Sequence, residues 1–233
     1  MSSGQMASPL AGRFIAFEGA DGAGKSTHLG LLAAQLRERG LVDTPGRPDL
    51  VITREPGGTA LGERIREALL DGGEVTPVAE ALLYAADRAQ HVAEVIRPAL
   101  ASGALVITDR FLDSSIAYQV EGRSLPEDLV RAVNAPATGG LEPDLTILLE
   151  IGTRAAAARL DASGLPADRL ESAGTGFHER VNRRYTQIAL STPGRYAVVP
   201  AEAPAAQVQQ RVWEAVEGFM DRWRGAGEEG RRQ

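Results

Sequence analysis

A chain of 233 residues predicts one domain, or one domain with a modest insertion, because domains commonly hold about 100–200 residues. Hydrophobic residues make up 43% and charged residues 24% of the chain, which argues against a disordered chain, a collagen-like repeat and a membrane bundle. The 25 basic and 31 acidic residues give a net charge of −6, so no nucleic-acid partner is expected. The absence of cysteine excludes disulfides, thiolate metal sites and thiol catalysis, and fits a reducing cytoplasm.

The two ends of the sequence differ in composition from the region between them. Residues 1–12 are small and polar without the features of a secretory signal, and they are predicted to be a flexible lead-in. Residues 225–233 are rich in Gly, Glu and Arg and are predicted to be a flexible tail. No apolar run approaches the roughly 18 residues of a transmembrane helix, so no membrane partner is expected. Residues 13–224 are predicted to form a single domain.

Short apolar runs alternate with amphipathic stretches along this region. The apolar runs predict five strands, at residues 13–19, 50–55, 104–109, 145–151 and 195–200. The stretches with helical spacing predict helices at residues 25–39, 61–70, 76–102, 126–135, 153–160, 175–191 and 204–224. In the third helix, Thr76 is expected to cap the first turn and Pro98 to kink the last.

Strands that alternate with helices and read as continuous Val/Ile/Leu runs predict an α/β fold. The expected architecture is a five-stranded parallel sheet with helices on both faces. Such a sheet binds ligands beyond the carboxyl ends of its strands. The polar segments that follow the strands are therefore the candidates for the site, and they are residues 18–26, 53–59, 109–119 and 200–203.

The strongest local signal lies between the first strand and the first helix. Residues 19–26, GADGAGKS, fit the pattern G-x-x-x-x-G-K-[ST] in the strand–turn–helix context that the motif requires. The glycines let the loop curl, so that its N–H groups face phosphate oxygens. Lys25 is expected to reach the β- and γ-phosphates, and Ser26 to offer its hydroxyl to Mg²⁺. The alternative is a glycine-rich turn with a chance Lys-Ser. The motif predicts a P-loop for a purine nucleoside triphosphate and leaves the phosphate acceptor open.

Three arginines suggest what the acceptor is. Arg54 follows the second strand, Arg110 follows the third, and Arg88 lies in the third helix. Any one of them alone would be interpreted as a surface cation or an ion-pair partner. Together they suit a second phosphate, which arginine holds by two parallel hydrogen bonds. A phosphate monoester is largely dianionic at neutral pH, so it needs charge neutralisation and alignment rather than a general base. The set favours a nucleoside monophosphate over an alcohol as acceptor.

Four segments, in order, carry a resemblance to a known family: FEGADGAGKST, TREPGGT, LLYAADRAQH and VITDRFLDSSIAYQ. With these segments the chain resembles the thymidylate kinases, from about Arg13 to Met220. The resemblance implies a P-loop NTPase fold and the transfer of the ATP γ-phosphoryl group to dTMP, giving dTDP and ADP for dTTP synthesis. It also implies ATP and Mg²⁺ as cofactors, and a cytoplasmic homodimer that packs through helices including part of 76–102.

The resemblance also implies roles for individual residues. ATP would be bound by Gly19, Ala20, Asp21, Gly22, Ala23, Gly24, Lys25, Ser26 and Thr27. The residues implied for dTMP are Asp21, Arg54, Tyr84, Arg88, Arg110, Ser115, Tyr118 and Gln119. Arg54 and Arg110 would hold the acceptor phosphate, and Arg88 would bind near the thymine carbonyl. Tyr84 stands where the family usually has a Phe that stacks on thymine, and Tyr118 would crowd a ribose 2′-hydroxyl. Residues 200–203 would border adenine.

The implied metal residues are Ser26 and Asp109. For Asp109 three roles are open: binding Mg²⁺ through water, orienting Arg110, or a purely structural role at the end of a strand.

Residues 161–176 lack clear periodicity and are punctuated by Gly and Pro, which suits a lid that closes over a phosphotransfer site. Some members of the family carry a basic residue inside the P-loop and others carry it on the lid. The variable P-loop positions here hold no cation, so the lid is expected to supply the charge. The expected catalytic residues are Lys25 and Arg110, with Arg169 as the first lid candidate and Arg159 as the second. Three arginines just beyond the lid stay open as further contributors: Arg180, Arg183 and Arg184.

The sequence leaves two alternative functions open. The first is a kinase for another nucleoside monophosphate or a deoxynucleoside, because pocket residues are easily retuned. The second is a nucleotide-binding switch, which would use the P-loop but has no need of arginines for an acceptor phosphate.

Overall fold

The computed structural model describes residues 8–71, 73–164 and 168–229 of the chain. Its strands are β1 (Phe14–Glu18), β2 (Leu50–Arg54), β3 (Leu105–Asp109), β4 (Leu145–Glu150) and β5 (Tyr196–Pro200). They pair in parallel throughout, in the order β2-β3-β1-β4-β5. Each strand lies within its predicted range, so the prediction of a five-stranded parallel sheet is confirmed.

Helices fill the connections between the strands. The α-helices of the described ranges are α1 (Lys25–Glu38), α2 (Ala60–Leu70), α3 (Pro77–His91), α4 (Arg97–Ala101), α5 (Leu112–Ser115), α6 (Glu127–Thr138), α7 (Thr153–Ser163), α8 (Thr175–Ser191) and α9 (Ala205–Glu229). Two π-helical segments join neighbouring helices, Val92–Ile96 between α3 and α4, and Ile116–Gly122 directly after α5. None of the described helices is long and apolar enough to cross a membrane.

The predicted helices differ from the structure in several features, of which three matter here. The single helix predicted over 76–102 is interrupted by the π segment, where the Arg97 N–H donates to the Val92 carbonyl, so the distortion precedes Pro98. Thr76 stands at the cap position but its side chain makes no capping hydrogen bond. Helix α9 runs to Glu229, five residues beyond its predicted end at residue 224.

The sheet is covered on both faces because successive strand residues point in opposite directions. Ile15 and Phe17 join the large cluster that includes α1 and α9. Phe14 and Ala16 point the other way and pack with Val106 and the segment after α3. The buried faces leave the carboxyl edge of the sheet as the place where polar loops gather.

The predicted lead-in, lid and tail are only partly described. Within the lead-in, Leu10 is buried in the large cluster and the Gly12 N–H donates to the Gly103 carbonyl at 3.0 Å. Residues 1–7, 165–167 and 230–233 lie outside the described residues. The lid over 161–176 therefore stays a prediction; its described part comprises the end of α7, the turns at residues 169–172 and the start of α8.

Candidate active site

The loop between β1 and α1 passes its neighbours too closely to hold side chains at two of its glycines. Gly19 and Gly22 have φ angles of 138° and 77°. A Cβ atom on Gly19 would lie 2.5 Å from the Leu149 carbonyl oxygen, and one on Gly22 would lie 2.5 Å from that of Ala156. Glycine is therefore required both by the left-handed backbone and by the close approach to β4 and α7.

Lys25 lies inside the curve of this loop. Its Nζ donates to the carbonyl oxygens of Gly19 at 3.1 Å and Ala20 at 2.9 Å, and it lies 4.0 Å from the Asp21 carboxylate. Burial lowers the pKa of Lys25, and the nearby Arg110 charge adds to this, while Asp21 opposes it. The ammonium group is thus placed where the motif predicts the phosphates to bind.

Arg110 connects the loop to the helix that follows β3. Its Nη1 donates to the Gly19 carbonyl at 3.2 Å and to Ser114 Oγ at 3.0 Å, and its Nη2 pairs with the Asp21 carboxylate. The backbone of Arg110 has a φ of 72°, a strained conformation for a residue with a long side chain. The surrounding contacts hold the guanidinium in place despite this strain.

Asp21 is held ionised by its neighbours. Burial would raise the pKa of this carboxyl, but the charges of Arg110 and Lys25 and a hydrogen bond from the Tyr118 hydroxyl hold the pKa well below its usual range. That hydroxyl donates to Asp21 at 2.7 Å. Asp21, Arg110 and Tyr118, three of the residues predicted to bind dTMP, therefore form one connected cluster.

Glu18 accepts hydrogen bonds from side chains that contact Arg110, and it was not among the predicted site residues. It accepts hydrogen bonds from the Phe111 N–H at 2.9 Å, from Ser114 Oγ at 2.6 Å and from the Tyr185 hydroxyl at 3.1 Å. Burial raises the pKa of Glu18 to about 7. By binding the turn after Arg110, Glu18 fixes that turn to β1. Its only signal in the sequence is its place directly before the P-loop.

The two predicted metal residues are in contact. Ser26 Oγ donates to Asp109 Oδ2 at 2.6 Å, and the other carboxylate oxygen of Asp109 is buried and has no hydrogen-bond partner in the described structure. No group of three His, Cys, Asp or Glu side chains suited to a metal occurs within the described ranges. A hydroxyl and one carboxylate, completed by phosphate oxygens and water, is the donor set that Mg²⁺ takes at phosphate sites. The residues present fit Mg²⁺.

The remaining predicted arginines have different surroundings. Arg54 is 51% exposed, pairs with Glu63 at 2.9 Å and stands opposite Asp109 in the β2–β3 register. Arg88 is 1% exposed, and its guanidinium is held by Glu55 at 2.8 Å, by Ser115 Oγ at 3.0 Å and by two further acceptors, Asn134 and the Phe111 carbonyl. Arg88 therefore lies beside Ser115, with its donors engaged by protein acceptors, and its role at the thymine carbonyl stays a prediction.

The predicted base-binding residues lie on two facing helical segments. Tyr84 is half-buried on α3, and its pKa is raised by burial and by the nearby Glu80. It packs against the cluster that contains Tyr118. Gln119 is one helical turn beyond Ser115 and donates from Nε2 to Glu80 Oε1 at 3.1 Å. The helix that carries Ser115, Tyr118 and Gln119, over residues 112–122, was missing from the predicted elements.

The segment after β2 is fixed to α3 by buried acids that were not predicted. Glu55 pairs with Arg88 and faces His91 Nδ1 at 2.9 Å. Asp87 accepts a hydrogen bond from the Gly57 N–H at 3.0 Å, and burial raises the pKa of Asp87 to about 6. Arg88 and His91, three residues apart on one helix, could have shown this pattern in the sequence, because such residues share a face.

The two lid candidates are held by different parts of the molecule. Arg169 donates from Nη2 to Glu80 at 2.7 Å and from Nε to the Leu69 carbonyl at 2.9 Å. Arg159, on α7, donates to the Ala201 carbonyl at 2.6 Å. Helix α7 is also the element that touches the P-loop at Gly22.

A cavity of about 620 Å³ opens beside the P-loop. Its lining includes Gly19, Gly152, Asn182, Pro200 and Glu202. The segment assigned to adenine, residues 200–203, thus contributes to a cavity at the carboxyl ends of β4 and β5.

These features together define a P-loop nucleotide-binding protein of the α/β class. They are the parallel sheet, the loop after its first strand, the lysine inside that loop, and the Ser26–Asp109 contact with the neighbouring strand β3. A family profile described as thymidylate kinase matches residues 17–212. The chain is 50% identical over 213 residues to the thymidylate kinase of Desulforudis audaxviator (strain MP104C), which covers 91% of this chain and 93% of the relative. It is 45% identical over 214 residues to that of Pelotomaculum thermopropionicum (strain DSM 13744 / JCM 10971 / SI), with coverage of 91% and 96%.

The thymidylate kinase of Clavibacter sepedonicus is 48% identical over 207 residues, covering 87% of this chain and 95% of the relative. The chain belongs to the thymidylate kinase family. The predicted family and fold are confirmed, and the residue roles and the lid-arginine subtype stay predictions.

The close approach at Gly22 gives a direct test of the loop geometry. Gly22→Ala is expected to weaken ATP binding at least tenfold, because the new methyl group must push the loop away from α7. Gly30→Ala is the matched control, since Gly30 is exposed on α1 and a methyl group there would meet no atom within 4 Å. Titration calorimetry with ATP measures the effect, and unfolding curves check both variants. Equal ATP affinity in the two variants would contradict the assignment of the loop between β1 and α1 to ATP binding.

Proposed function

We propose that this chain transfers the γ-phosphoryl group of ATP to dTMP, with Mg²⁺, giving dTDP and ADP for dTTP synthesis. The observation that carries the proposal is the position of Arg110, which donates to the Gly19 carbonyl of the P-loop and pairs with Asp21. The phosphate-donor loop and the residues assigned to the acceptor meet at this one guanidinium. Relatives that are 45–50% identical carry the name thymidylate kinase. A cytoplasmic location belongs to the same proposal.

The reaction needs charge neutralisation more than proton transfer. The loop N–H groups and Lys25 bind the β- and γ-phosphates, and Arg110 and Arg54 bind the phosphate of dTMP. This phosphate is largely dianionic at neutral pH, so its oxygen attacks without a general base. Ser26 and Asp109 would hold Mg²⁺, which supplies positive charge to the phosphate oxygens. The protein mainly aligns two anions and lowers their repulsion.

The acceptor base is held between α3 and the helix after β3. Tyr84 stacks on thymine through its ring, while Ser115 and Gln119 face the edge of the base and Arg88 lies behind Ser115, to which it donates. Tyr118 excludes a ribose 2′-hydroxyl, because its ring is fixed by the hydrogen bond to Asp21 and by Arg110 at 5.0 Å.

The wild-type reaction tests the proposal directly. ADP release with Mg-ATP is expected to rise strongly with dTMP, to rise less with dUMP, and to stay near background with UMP, AMP and GMP. Lys25→Ala is expected to remove nearly all turnover, because the γ-phosphoryl group loses its buried cation. A coupled ADP assay makes both measurements.

Two other results would support the alternatives. Equal rates with dTMP, dUMP and UMP would indicate a kinase of broader specificity. ATP hydrolysis that no monophosphate stimulates would favour a nucleotide-binding switch.

The lid supplies the remaining positive charge in this proposal, and Arg169 is its first candidate. Its ion pair with Glu80 must open before Arg169 reaches the transferring group, whereas Arg159 already lies on the helix beside the P-loop. Glu80 keeps a second cation, Arg123, at 3.0 Å, so the pair can open without leaving a buried charge unpaired.

Arg169→Ala is expected to lower kcat about 100-fold and to change the dTMP KM by less than about threefold. The reason is that a lid cation contacts the phosphoryl group mainly in the transition state. Arg159→Ala is the parallel variant, expected to have the smaller effect. Steady-state kinetics with both substrates measures these effects. A change in the dTMP KM alone would remove Arg169 from the catalytic role, and the reverse ranking would transfer that role to Arg159.

A homodimer is the second part of the proposal, and an apolar face on α3 and the π segment after it supports it. Apolar residues recur at helical spacing along this face and all are exposed: Val78, Leu82, Ala86, Ala89 and Ala93. Val78 is 46% and Leu82 50% exposed. Leu61, on the neighbouring helix α2, is also exposed. Exposed apolar stripes of this kind mark contact surfaces.

Leu82→Glu is expected to convert the dimer to a monomer, because a charge would be buried at the centre of the contact. Leu190→Glu is the matched control, since Leu190 is 76% exposed on α8 and lies outside the stripe. Sedimentation velocity of the wild type and both variants gives the oligomeric state. A wild-type monomer, or a dimer that survives Leu82→Glu, would contradict this interface.

A further inference from the structure

A buried carboxylate outside the proposed reaction links the base-binding residues to the lid. Glu80, on α3, is 0% exposed. Its Oε1 accepts from Gln119 Nε2 at 3.1 Å, and its Oε2 accepts from Arg169 at 2.7 Å. Arg123 contacts both oxygens at 3.2 Å through Nε. Two arginines thus neutralise the charge of Glu80, and one of its oxygens is directed at Gln119.

The contact with Glu80 fixes which way the Gln119 amide points. A carboxylate only accepts hydrogen bonds, so the amide group that faces it must be the NH₂. Gln119 is 1% exposed, and the reversed amide would bring its carbonyl oxygen against the carboxylate, where two buried acceptors would repel each other. None of the described residues donates to Gln119 Oε1. The carbonyl oxygen is therefore presented as a free acceptor on the side away from Glu80.

This polarity matters for the choice of pyrimidine. Gln119 lies one turn beyond Ser115, which contacts Arg88, and Tyr84 lies one turn beyond Glu80, so these side chains surround the proposed base position. Thymine and uracil carry an N3–H donor, whereas cytosine carries a lone pair at N3. A carbonyl oxygen accepts a hydrogen bond from the N3–H of thymine or uracil and is repelled by the N3 lone pair of cytosine.

We propose that Glu80 is a positioning residue that sets the hydrogen-bond polarity of Gln119, so that the site selects pyrimidine nucleotides with an N3–H donor against cytosine nucleotides. The inference rests on the proposed function, because it takes dTMP as the acceptor. Glu80 acts through Gln119 and touches neither nucleotide.

Glu80→Gln tests the proposal with almost no change in side-chain size. A glutamine at this position can accept from Gln119 or donate to it, so both amide orientations become available. The ratio of kcat/KM for dTMP to that for dCMP is expected to fall about tenfold or more. The dCMP value should improve relative to dTMP, because a Gln119 NH₂ can then donate to cytosine N3.

Arg123→Lys is the matched control, since it keeps a positive charge beside Glu80 and leaves the Gln119 contact intact. Its dTMP/dCMP ratio is expected to stay within about twofold of the wild type. Dissociation constants for dTMP and dCMP, measured without ATP, give a second readout that does not depend on turnover.

The outcomes separate this proposal from the one on which it rests. Wild-type protein that dTMP does not stimulate would overturn the proposed function, and this inference with it. With an active wild type, a Glu80→Gln variant that loses activity equally on dTMP and dCMP would show a merely structural role and overturn this inference alone. If Glu80→Gln fails to fold, Gln119→Leu is expected to reduce the same ratio tenfold, and an unchanged ratio there would also overturn it.

Discussion

The guanidinium of Arg110, whose side chain is 14% exposed, makes the contacts on which the site depends. It joins the loop after β1 to the helix after β3 through Gly19, Asp21 and Ser114, across 91 residues of sequence in the longest of these contacts. The strained backbone of Arg110 is tolerated because these contacts outweigh it. The same arginine therefore holds the site together and, in the proposed reaction, binds the acceptor phosphate.

Two buried carboxyls beside Arg110 respond to pH in opposite directions. The pKa of Asp21 is held low in the folded state, so its contribution to stability is present above its ordinary pKa and is lost as the pH falls through the lowered value. The pKa of Glu18 is raised from 4.5 to about 7, so the folded state is favoured by protonation below 4.5, and this contribution is lost as the pH rises through about 7. The site thus combines an ionised carboxylate that pairs with Arg110 and a second carboxyl, Glu18, whose raised pKa favours its protonated form below about pH 7.

Local sequence predicts this fold well where a signal is contained in one segment. Each strand is a short apolar run, and the P-loop motif lies within eight residues, so both can be predicted. The helix at residues 112–122 escapes prediction because Asp and Ser are weak helix formers and the π segment breaks the 3.6-residue period. The roles of Glu55 and Glu80 escape it for a different reason: their partners His91 and Arg169 lie 36 and 89 residues away. Such contacts depend on how the helices pack, which no local pattern encodes.

Glu80 shows how the fold can separate base selection from lid movement. Its Oε1 faces Gln119, and its Oε2 faces Arg169, so the two tasks use different oxygens of one carboxylate. Arg123 contacts both oxygens and does not belong to the lid. In the proposed lid movement Arg169 leaves Glu80, while Arg123 still neutralises the charge and the Gln119 amide keeps its donor toward Glu80. Arg123, the counter-ion that remains, lies at the end of the helix after β3. In this proposal the Glu80–Gln119 hydrogen bond therefore selects the base in the same way whether the lid is open or closed.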